Sequence, residues 1–286
     1  MTDTLIENVS DTAFWVAHYR ALETERPDAL FHDPLAGLLA GDRGKEIARA
    51  MPRPFLTAWA VAIRTRIIDD YIRFAIAHGT DSILNLGAGL DTRPYRMDLP
   101  ATLVWVEADY PAVIEFKEKR LSGETPRCQL ERVKLDLVNV VERRQMLAAV
   151  GMRAEKMLVL TEGVIPYLSA EEVASLADDL LALAPACYWV VDYFSPRMLK
   201  YRQRMIGQKM QNAPFRFKPK DWFGLFQEHG WHLKEIRYLA EEGNRLHRPV
   251  RLPIIAKAML GIRGLFSSKE ARAAFRKSAG YALLER

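Results

Sequence analysis

Residues 82–91 read SILNLGAGLD. The first five are mainly apolar and are typical of a strand buried on both faces, as in a parallel sheet. Gly87 and Gly89 follow at once, and glycines allow a tight turn and a close approach of a ligand to the backbone. Ligands of open α/β sheets bind beyond the carboxyl ends of the strands. The segment therefore predicts an α/β fold with a ligand site directly after this strand.

Similar short apolar runs recur along the chain and predict further strands. Helical stretches separate them, and one of these begins with a capping box of Ser169 and Glu172. Strands are predicted at residues 82–86, 103–106, 132–135, 157–160, 188–191 and 231–239, and residues 280–286 are expected to form a last edge or hairpin strand. Strands that alternate with helices indicate βαβ units and a mostly parallel sheet.

The chain of 286 residues is expected to fold as one compact unit, because no linker divides it. Residues 1–56 precede the first strand and are expected to form an N-terminal helical cover or lid, with pivots at Pro27 and Gly37. Residues 57–286 would then form the ligand-binding domain, with a basic insert at about 245–278.

The composition is that of an ordinary soluble globular protein, with 49% hydrophobic and 27% charged residues. The longest uncharged run, residues 180–191, contains Pro185 and is too short to cross a bilayer, which needs about 20 apolar residues. The first residues show no secretory signal, so a cytoplasmic location is expected. Cys128 and Cys187 lie far apart without the spacing of metal ligands, so neither a disulfide nor a metal site is predicted.

The net charge of +5 is unevenly distributed. Residues 197–286 hold 20 Lys and Arg against 7 Asp and Glu. A basic region can contact nucleic acid, anionic lipid or an acidic protein, but a solvated charged face is the more common explanation. No nucleic acid partner is therefore expected. Residues 248–277 are amphipathic, and core packing is preferred there over docking on an acidic carrier protein or a membrane surface.

Acidic residues follow the predicted strands, whose carboxyl ends meet at one edge of the sheet. They are Glu107 and Asp109 after the second strand, Asp136 after the third, Glu162 after the fourth and Asp192 after the fifth. Asp109 lies 22 residues after Gly87, a spacing that places a carboxylate on ribose hydroxyls. Asp136 would then accept a hydrogen bond from the exocyclic amine of a purine.

Sites of this kind bind one of three ligands, which are NAD, FAD and S-adenosyl-L-methionine (SAM). The dinucleotide fingerprint needs a third glycine for helix packing and a helix N-terminus for the pyrophosphate. Here Thr92 stands at that position and Pro94 follows closely. A ligand without a pyrophosphate therefore fits better.

Three longer motifs carry a specific resemblance. They are NLGAGLDTRPYR at 85–96, VEADYP at 106–111 and TEGVIPYL at 161–168, with shorter matches at 19–23 and 33–36. These motifs resemble the leucine carboxyl methyltransferase family, SAM-dependent O-methyltransferases that include the bacterial tetracenomycin-type polyketide carboxyl methyltransferases. The resemblance covers about residues 10–240. It implies a Rossmann-like class I methyltransferase sheet of seven strands, the last antiparallel, and SAM as the cofactor.

The resemblance also implies roles for individual residues. From the adenine end to the methionine end, the implied contacts are Asp136 and Leu137 with adenine, Asp109 with ribose, Gly87 with the methionine part, Glu162 with the amino group and Arg64 with the carboxylate. Gly89 is also expected to bind the cofactor. Arg64 has a second explanation, since together with Arg66 it could form a solvated helix face.

The predicted reaction is O-methylation of a small-molecule carboxylate, polyketide-like, to a methyl ester. A carboxylate needs a cation that orients it, and Arg20 is the candidate. A phenol or hydroxyl acceptor would need a base, for which His18 and Tyr193 are the candidates. His18 has an equal alternative, which is core packing beside Trp15.

Other functions stay open at this stage. One is methylation of the C-terminal carboxylate of a protein, and another is methylation of a phenol or alcohol. A non-enzymatic alternative is a cofactor-binding scaffold whose acceptor pocket is filled by Trp15, Trp59 or neighbouring aromatic residues.

Overall fold

A seven-stranded sheet forms the centre of the molecule. The computed structural model describes residues 6–250 and 269–286. The strands are β1 (Ser82–Leu86), β2 (Val104–Asp109), β3 (Gln129–Lys134), β4 (Met157–Thr161), β5 (Ala186–Phe194), β6 (His232–Tyr238) and β7 (Ala279–Glu285). Their order in the sheet is β3-β2-β1-β4-β5-β7-β6. β1 to β5 pair in parallel, whereas β7 is antiparallel to both of its neighbours.

Helices connect the strands. They are α1 (Asp11–Thr24), α2 (Ala36–Ala50), α3 (Pro54–Ala77), α4 (Arg93–Arg96), α5 (Pro111–Arg120), α6 (Val140–Gly151), α7 (Ala170–Ala182), α8 (Pro196–Ile206), α9 (Trp222–Glu228), α10 (Leu239–Arg245) and α11 (Lys269–Arg276). Ser169 and Glu172 form the expected capping box at the start of α7. The alternation of strands and helices confirms the α/β prediction.

β7 is an interior strand, so the expectation of an edge strand is wrong. It lies between β5 and β6 and pairs with both. Ala282 and Leu284 pack into the core on one face of the sheet, and Tyr281 and Leu283 into the core on the other. An edge position would leave a row of backbone N–H and C=O groups unpaired beside these apolar side chains.

Two hydrophobic cores cover the two faces of the sheet. Along β1, Leu84 and Leu86 point into the core shared with α6 and α7, whereas Ile83 points into the core shared with α3. This alternation is the period of two of an extended strand. Because both faces are covered, the polar residues after the strands collect at the carboxyl ends.

The N-terminal segment packs beside these ends. α1 contacts α2 and α3, and Trp15 shares a hydrophobic cluster with Ile47 of α2. Pro27 lies in a turn as expected. Gly37 does not, because α2 has already begun there, and the break in that helix is at Gly41, with φ 52° and ψ −156°. Movement of the segment as a lid stays a prediction.

The predicted basic insert at about 245–278 falls largely on residues 251–268, which lie outside the described residues. In the part of the chain that is described, no helix combines the length and the apolar character needed to cross a membrane. Cys128 and Cys187 are free thiols, as expected.

Candidate cofactor and acceptor site

A cavity of about 1320 Å³ opens at the carboxyl ends of the parallel strands. Its walls come from the loops after β1 to β4 and from α1, α3 and α8. Eight of the predicted site residues line it: Arg20, Arg64, Gly87, Gly89, Asp109, Asp136, Leu137 and Glu162. The sheet thus brings together, at one edge, residues that are distant in the sequence.

The loop after β1 approaches the loop after β4 closely. Gly87 and Gly89 have φ angles of 65° and 49°, in the left-handed region that favours glycine. A Cβ atom on Gly87 would lie 2.3 Å from Cγ2 of Val164. Any larger residue at this position would therefore push the two loops apart.

Gly87→Ala is expected to lower the free energy of unfolding by about 1–3 kcal/mol, because the backbone is strained and the methyl group collides with Val164. Binding of S-adenosylhomocysteine should weaken as well, since the loop moves. Thermal unfolding and titration calorimetry measure the two effects. Gly123→Ala is the matched control, because an added Cβ there meets no atom within 4 Å. Equal stability of the two variants would contradict this account.

Asp109 faces the cavity and holds its own loop. Its Oδ2 accepts a hydrogen bond from the Gly89 N–H at 2.6 Å, and its Oδ1 accepts one from the Tyr110 N–H at 2.7 Å. Burial raises the pKa of this carboxyl, although both hydrogen bonds oppose the rise. Glu107 is instead buried against Lys117 at 2.7 Å. Of the two acids that end β2, Asp109 is the one that lines the cavity.

Asp136 and Leu137 lie one strand further along the sheet, after β3. Asp136 is exposed, and its Oδ1 accepts a hydrogen bond from the Val138 N–H at 3.0 Å. Leu137 is half-buried, and Nη1 of Arg143 donates to its carbonyl at 2.7 Å. Together with Asp109, they suit an elongated ligand that crosses the ends of β2 and β3.

Arg64 and Glu162 form an ion pair inside the cavity. Nε of Arg64 lies 2.9 Å from Oε1 of Glu162, yet this buried nitrogen makes no aligned hydrogen bond to the described residues. Arg93 donates to the other oxygen of Glu162 at 2.8 Å. Burial opposes ionisation of Glu162, but Arg93 and Arg64 outweigh it and lower its pKa. Arg66 pairs separately with Asp70, so the alternative of a shared solvated face is wrong.

A buried network of charges connects Glu162 to α3 and α4. Arg93 is 2% exposed and also contacts Asp69 at 2.7 Å and Asp91 at 2.8 Å. Asp69 in turn binds Arg96 at 2.7 Å. Sequence reasoning missed this network. Arg93 stands inside a recognised motif, but no local pattern indicates a partner 24 positions earlier on α3.

The sequence profile of a known family matches the segment that builds most of this site. The family is described as leucine carboxyl methyltransferase, and the match covers residues 13–181. The chain belongs to this family. A protein of Mycobacterium avium (strain 104), provisionally named an S-adenosyl-L-methionine-dependent methyltransferase, is 31% identical over 280 residues, which cover 86% of this chain and 87% of the relative. A protein of Parafrankia sp. (strain EAN1pec), with the same provisional name, is 37% identical over 188 residues, 62% of this chain and 60% of the relative.

Solved structures share the fold. One from Thermobifida fusca YX, described provisionally as a methyltransferase, has a TM-score of 0.57 at 13% identity and covers 94% of each chain. A DUF574 family protein from Streptomyces avermitilis MA-4680 has a TM-score of 0.53 at 17% identity, over 94% of this chain and 96% of that one. The fold is therefore the predicted class I methyltransferase fold. Together with the named relatives, the family assigns the chain as a methyltransferase that uses SAM.

Asp192, the acid that follows the fifth strand run, is buried behind the cavity wall. It is 3% exposed, and its Oδ2 accepts a hydrogen bond from the Gly163 N–H at 2.9 Å. Burial raises its pKa from the ordinary 3.8 to about 6, although Arg64 opposes the rise. Asp192 thereby holds the turn that follows Glu162.

Asp192→Asn is expected to gain stability relative to the wild type as the pH rises from about 4 to 6, and to keep a constant difference above that range. The folded wild type retains the Asp192 proton to about pH 6, whereas the unfolded chain loses it near 3.8. Its contribution to stability therefore falls across this window, by about 1.4 kcal/mol per unit of pKa. Asn does not titrate.

Urea unfolding at several pH values across the window measures the difference between Asp192→Asn and the wild type. Asp98→Asn, the same change at an exposed position, is the control and should follow the wild type. If the difference in the free energy of unfolding between Asp192→Asn and the wild type is constant from pH 4 to 6, the pKa of Asp192 is not raised.

Arg20 lines the cavity, but its guanidinium already has partners. Nε donates to Oδ2 of Asp33 at 2.8 Å, and Nη2 donates to the carbonyl of Leu90. The side chain is only 8% exposed. These contacts fasten α1 to the loop after β1. Arg20 therefore has a structural role, and the expectation that it orients an acceptor is wrong.

His18 and Tyr193 are absent from the wall of the cavity as described. His18 is half-buried with its ring 5.7 Å from that of Tyr19, in agreement with the packing alternative. Tyr193 packs against Trp222 and Phe223, with ring centroids 5.2 and 5.4 Å away. The expectation that either residue orients an acceptor or acts as a base in this cavity is therefore wrong.

Helices α8 and α3 add apolar side chains to the cavity wall. They include Met198, Met205 and Ile206 from α8 and Trp59 and Ala60 from α3. Trp15 and Trp59 stand in the wall, and a volume of about 1320 Å³ remains between the described residues. The scaffold alternative, in which these aromatic residues fill the acceptor pocket, is not what the described residues show.

Proposed function

We propose that this methyltransferase transfers the methyl group of SAM to a carboxylate of a small, polyketide-like molecule and releases a methyl ester. The observation that supports this most is the composition of the cavity wall. The wall combines the acids and glycines of the strand ends with apolar side chains and arginines from α3 and α8. His18 and Tyr193, the bases considered for a phenol, lie elsewhere.

The residues at the strand ends, together with Arg64, suit SAM. Nε of Arg64 is buried without an aligned hydrogen bond and would donate to the carboxylate of the methionine part. Glu162 would accept a hydrogen bond from the ammonium group of the same part. Each member of the Arg64–Glu162 ion pair would thus face the ligand group of opposite charge. Asp109 has two oxygens for the two ribose hydroxyls. Asp136 would accept from the adenine amine, with Leu137 beside the ring.

Bound SAM supplies a methyl group that a positively charged sulfur has already activated. The protein mainly has to hold the acceptor oxygen in line with the methyl carbon, at about 3–3.5 Å. A carboxylate, with a reference pKa near 4, is ionised at pH 7, so no proton has to be removed from it. The C–O bond forms as the C–S bond breaks, and the electron pair of the broken bond stays on sulfur.

Tritium-labelled SAM and a mixture of small carboxylic acids are expected to give an extractable product that releases its label as methanol in mild alkali. The reason is that a methyl ester hydrolyses under conditions in which a methyl ether is stable. Because no base is required, the rate should lack a steep dependence on a basic group between about pH 6 and 9. A label that survives alkali would favour the phenol or alcohol alternative, and a label fixed on added protein would favour a C-terminal carboxylate.

The exposed basic side of α8 supports delivery of the acceptor by an acidic carrier protein, as part of the same proposal. Arg197, Lys200 and Arg204 are exposed along this side of the helix, and Arg197 also contributes to the cavity wall. Among the described residues, none of the three forms an ion pair. Addition of an excess of an acidic acyl carrier protein to the assay tests this part, because competition for α8 should slow methylation of a carrier-linked acid.

A further inference from the structure

Arg202 lies between two aromatic rings in the wall of the cavity. Its guanidinium carbon is 4.5 Å from the ring centroid of Phe194 and 4.7 Å from that of Phe215. The side chain is half-buried and lines the cavity. Contact with two ring faces restricts the plane of a guanidinium while leaving its N–H groups at the edge able to donate.

Arg202 forms no ion pair with the residues that the structure describes, although the charge of Asp192 acts on it from further away. This distinguishes it from two other arginines of the cavity wall, because Arg20 is paired with Asp33 and Arg64 with Glu162. Burial lowers the pKa of the Arg202 guanidinium. A cation that is partly removed from water and unpaired gains from an incoming anion, since the anion replaces its lost hydration.

The position of Arg202 in the sheet places it on the acceptor side. Phe194 is the last residue of β5, and β5 lies next to β4, which precedes Glu162. In the proposed arrangement SAM extends from Asp136 to Glu162, so its methionine end points toward β5. An acceptor must therefore enter from the side where Arg202 lies.

Apolar side chains accompany this cation on α8. Met198 and Met205 lie four residues before and three residues after Arg202 on α8, a spacing that places all three on one face of the helix. Trp59 of α3 forms part of the same cavity wall. A cation with apolar neighbours in the wall matches the anionic group of a molecule that has a large apolar body.

We propose that Arg202 binds the carboxylate of an apolar carboxylic acid whose body lies between α8 and α3. This rests on the proposed carboxyl methyl transfer and names its acceptor class and its recognition residue. The guanidinium holds one carboxylate oxygen and leaves the other to form the bond to the methyl carbon. Arg202 thus orients the acceptor carboxylate, the role that the sequence analysis assigned to Arg20.

Titration calorimetry on the full chain saturated with S-adenosylhomocysteine tests this without requiring turnover. The probes are dodecanoate and 2-naphthoate, with dodecan-1-ol and 2-naphthol as neutral analogues. Arg202→Gln is expected to weaken binding of both acids by about ten- to a hundred-fold, the effect of losing a hydrogen bond to a charged group. Arg202→Lys keeps the charge but not the planar pair of donors. Its affinity for the acids should lie between those of the wild type and Arg202→Gln.

The neutral analogues should bind more weakly than the acids and respond little to Arg202→Gln. Arg49→Gln removes the same charge from an exposed position on α2, outside the described cavity wall, and should bind the acids like the wild type. Affinity for S-adenosylhomocysteine should be unchanged in all variants, which also shows that they are folded.

Equal acid affinity in Arg202→Gln and the wild type would overturn the proposal, and so would failure of both acids to bind the wild type. If the acids bind through Arg202 but no alkali-labile methyl product forms from any acid, the proposed function fails while the carboxylate site stands.

Discussion

Asp109→Ala is expected to weaken binding of S-adenosylhomocysteine by roughly ten- to a thousand-fold. The carboxylate has two oxygens for the two ribose hydroxyls. The loss of one hydrogen bond to a charged group, about 1.5–3 kcal/mol, already weakens binding about ten- to a hundred-fold, and the loss of the second adds to it. The same oxygens receive the N–H groups of Gly89 and Tyr110, so the loss of Asp109 also loosens the loop that contacts the ligand. Both effects weaken the binding of S-adenosylhomocysteine.

Titration calorimetry measures this loss, and Glu107→Gln is the matched control on the same strand. Glu107 is fully buried and contacts Lys117 at 2.7 Å and Arg132 at 3.0 Å. Its neutralisation leaves these cations without their carboxylate, so thermal stability should fall while the folded fraction still binds. Normal binding by Asp109→Ala together with lost binding by folded Glu107→Gln would reverse the assignment of the two acids.

Arg93→Met is expected to lower the free energy of unfolding by about 3–5 kcal/mol, because the removal of one member of a buried ion pair leaves an uncompensated charge. Three carboxylates depend on Arg93 in this structure. They are Asp69 at 2.7 Å and Asp91 and Glu162 at 2.8 Å. Met has a similar length and is apolar, so the loss reports the charge network rather than an empty volume.

Chemical denaturation measures this change, with Arg66→Met as the control. Arg66 pairs with Asp70 near the surface, where an ion pair contributes about 0–1 kcal/mol. Similar losses in the two variants would show that the network of Arg93 adds little to stability. A second readout is the pKa of Glu162, which should rise in Arg93→Met because its first cationic partner is gone.

The strands were predictable because each is a local apolar run. β1 to β5 were expected within a few residues of where they lie, and the acids after them were expected at the edge where Asp109 and Glu162 now face the cavity. The place of β7 was not predictable in this way. A hydrophobic pattern shows that a strand is buried, but the neighbours it pairs with depend on the whole sheet.

The remaining site errors have the same origin. The partners of Arg20 and Arg93 lie 13 and 24 positions away, and no pattern in the sequence links them. Tyr193 is different, because a usable signal existed. Side chains alternate along a strand, so Tyr193 had to point away from the face of Asp192. Arg202 carried no motif, and only the fold shows that it forms no ion pair with the described residues.

The central place of β7 affects the order in which the protein can be assembled on the ribosome. β5 and β6 are synthesised first, and both lack β7 as a neighbour until residues 279–285 have emerged. Until then β5 presents an open edge to other nascent chains, which is a hazard for aggregation. A chain truncated before residue 279 would therefore form a sheet of five strands, from which β6 is detached. The loss of eight residues would thus remove two strands from the sheet.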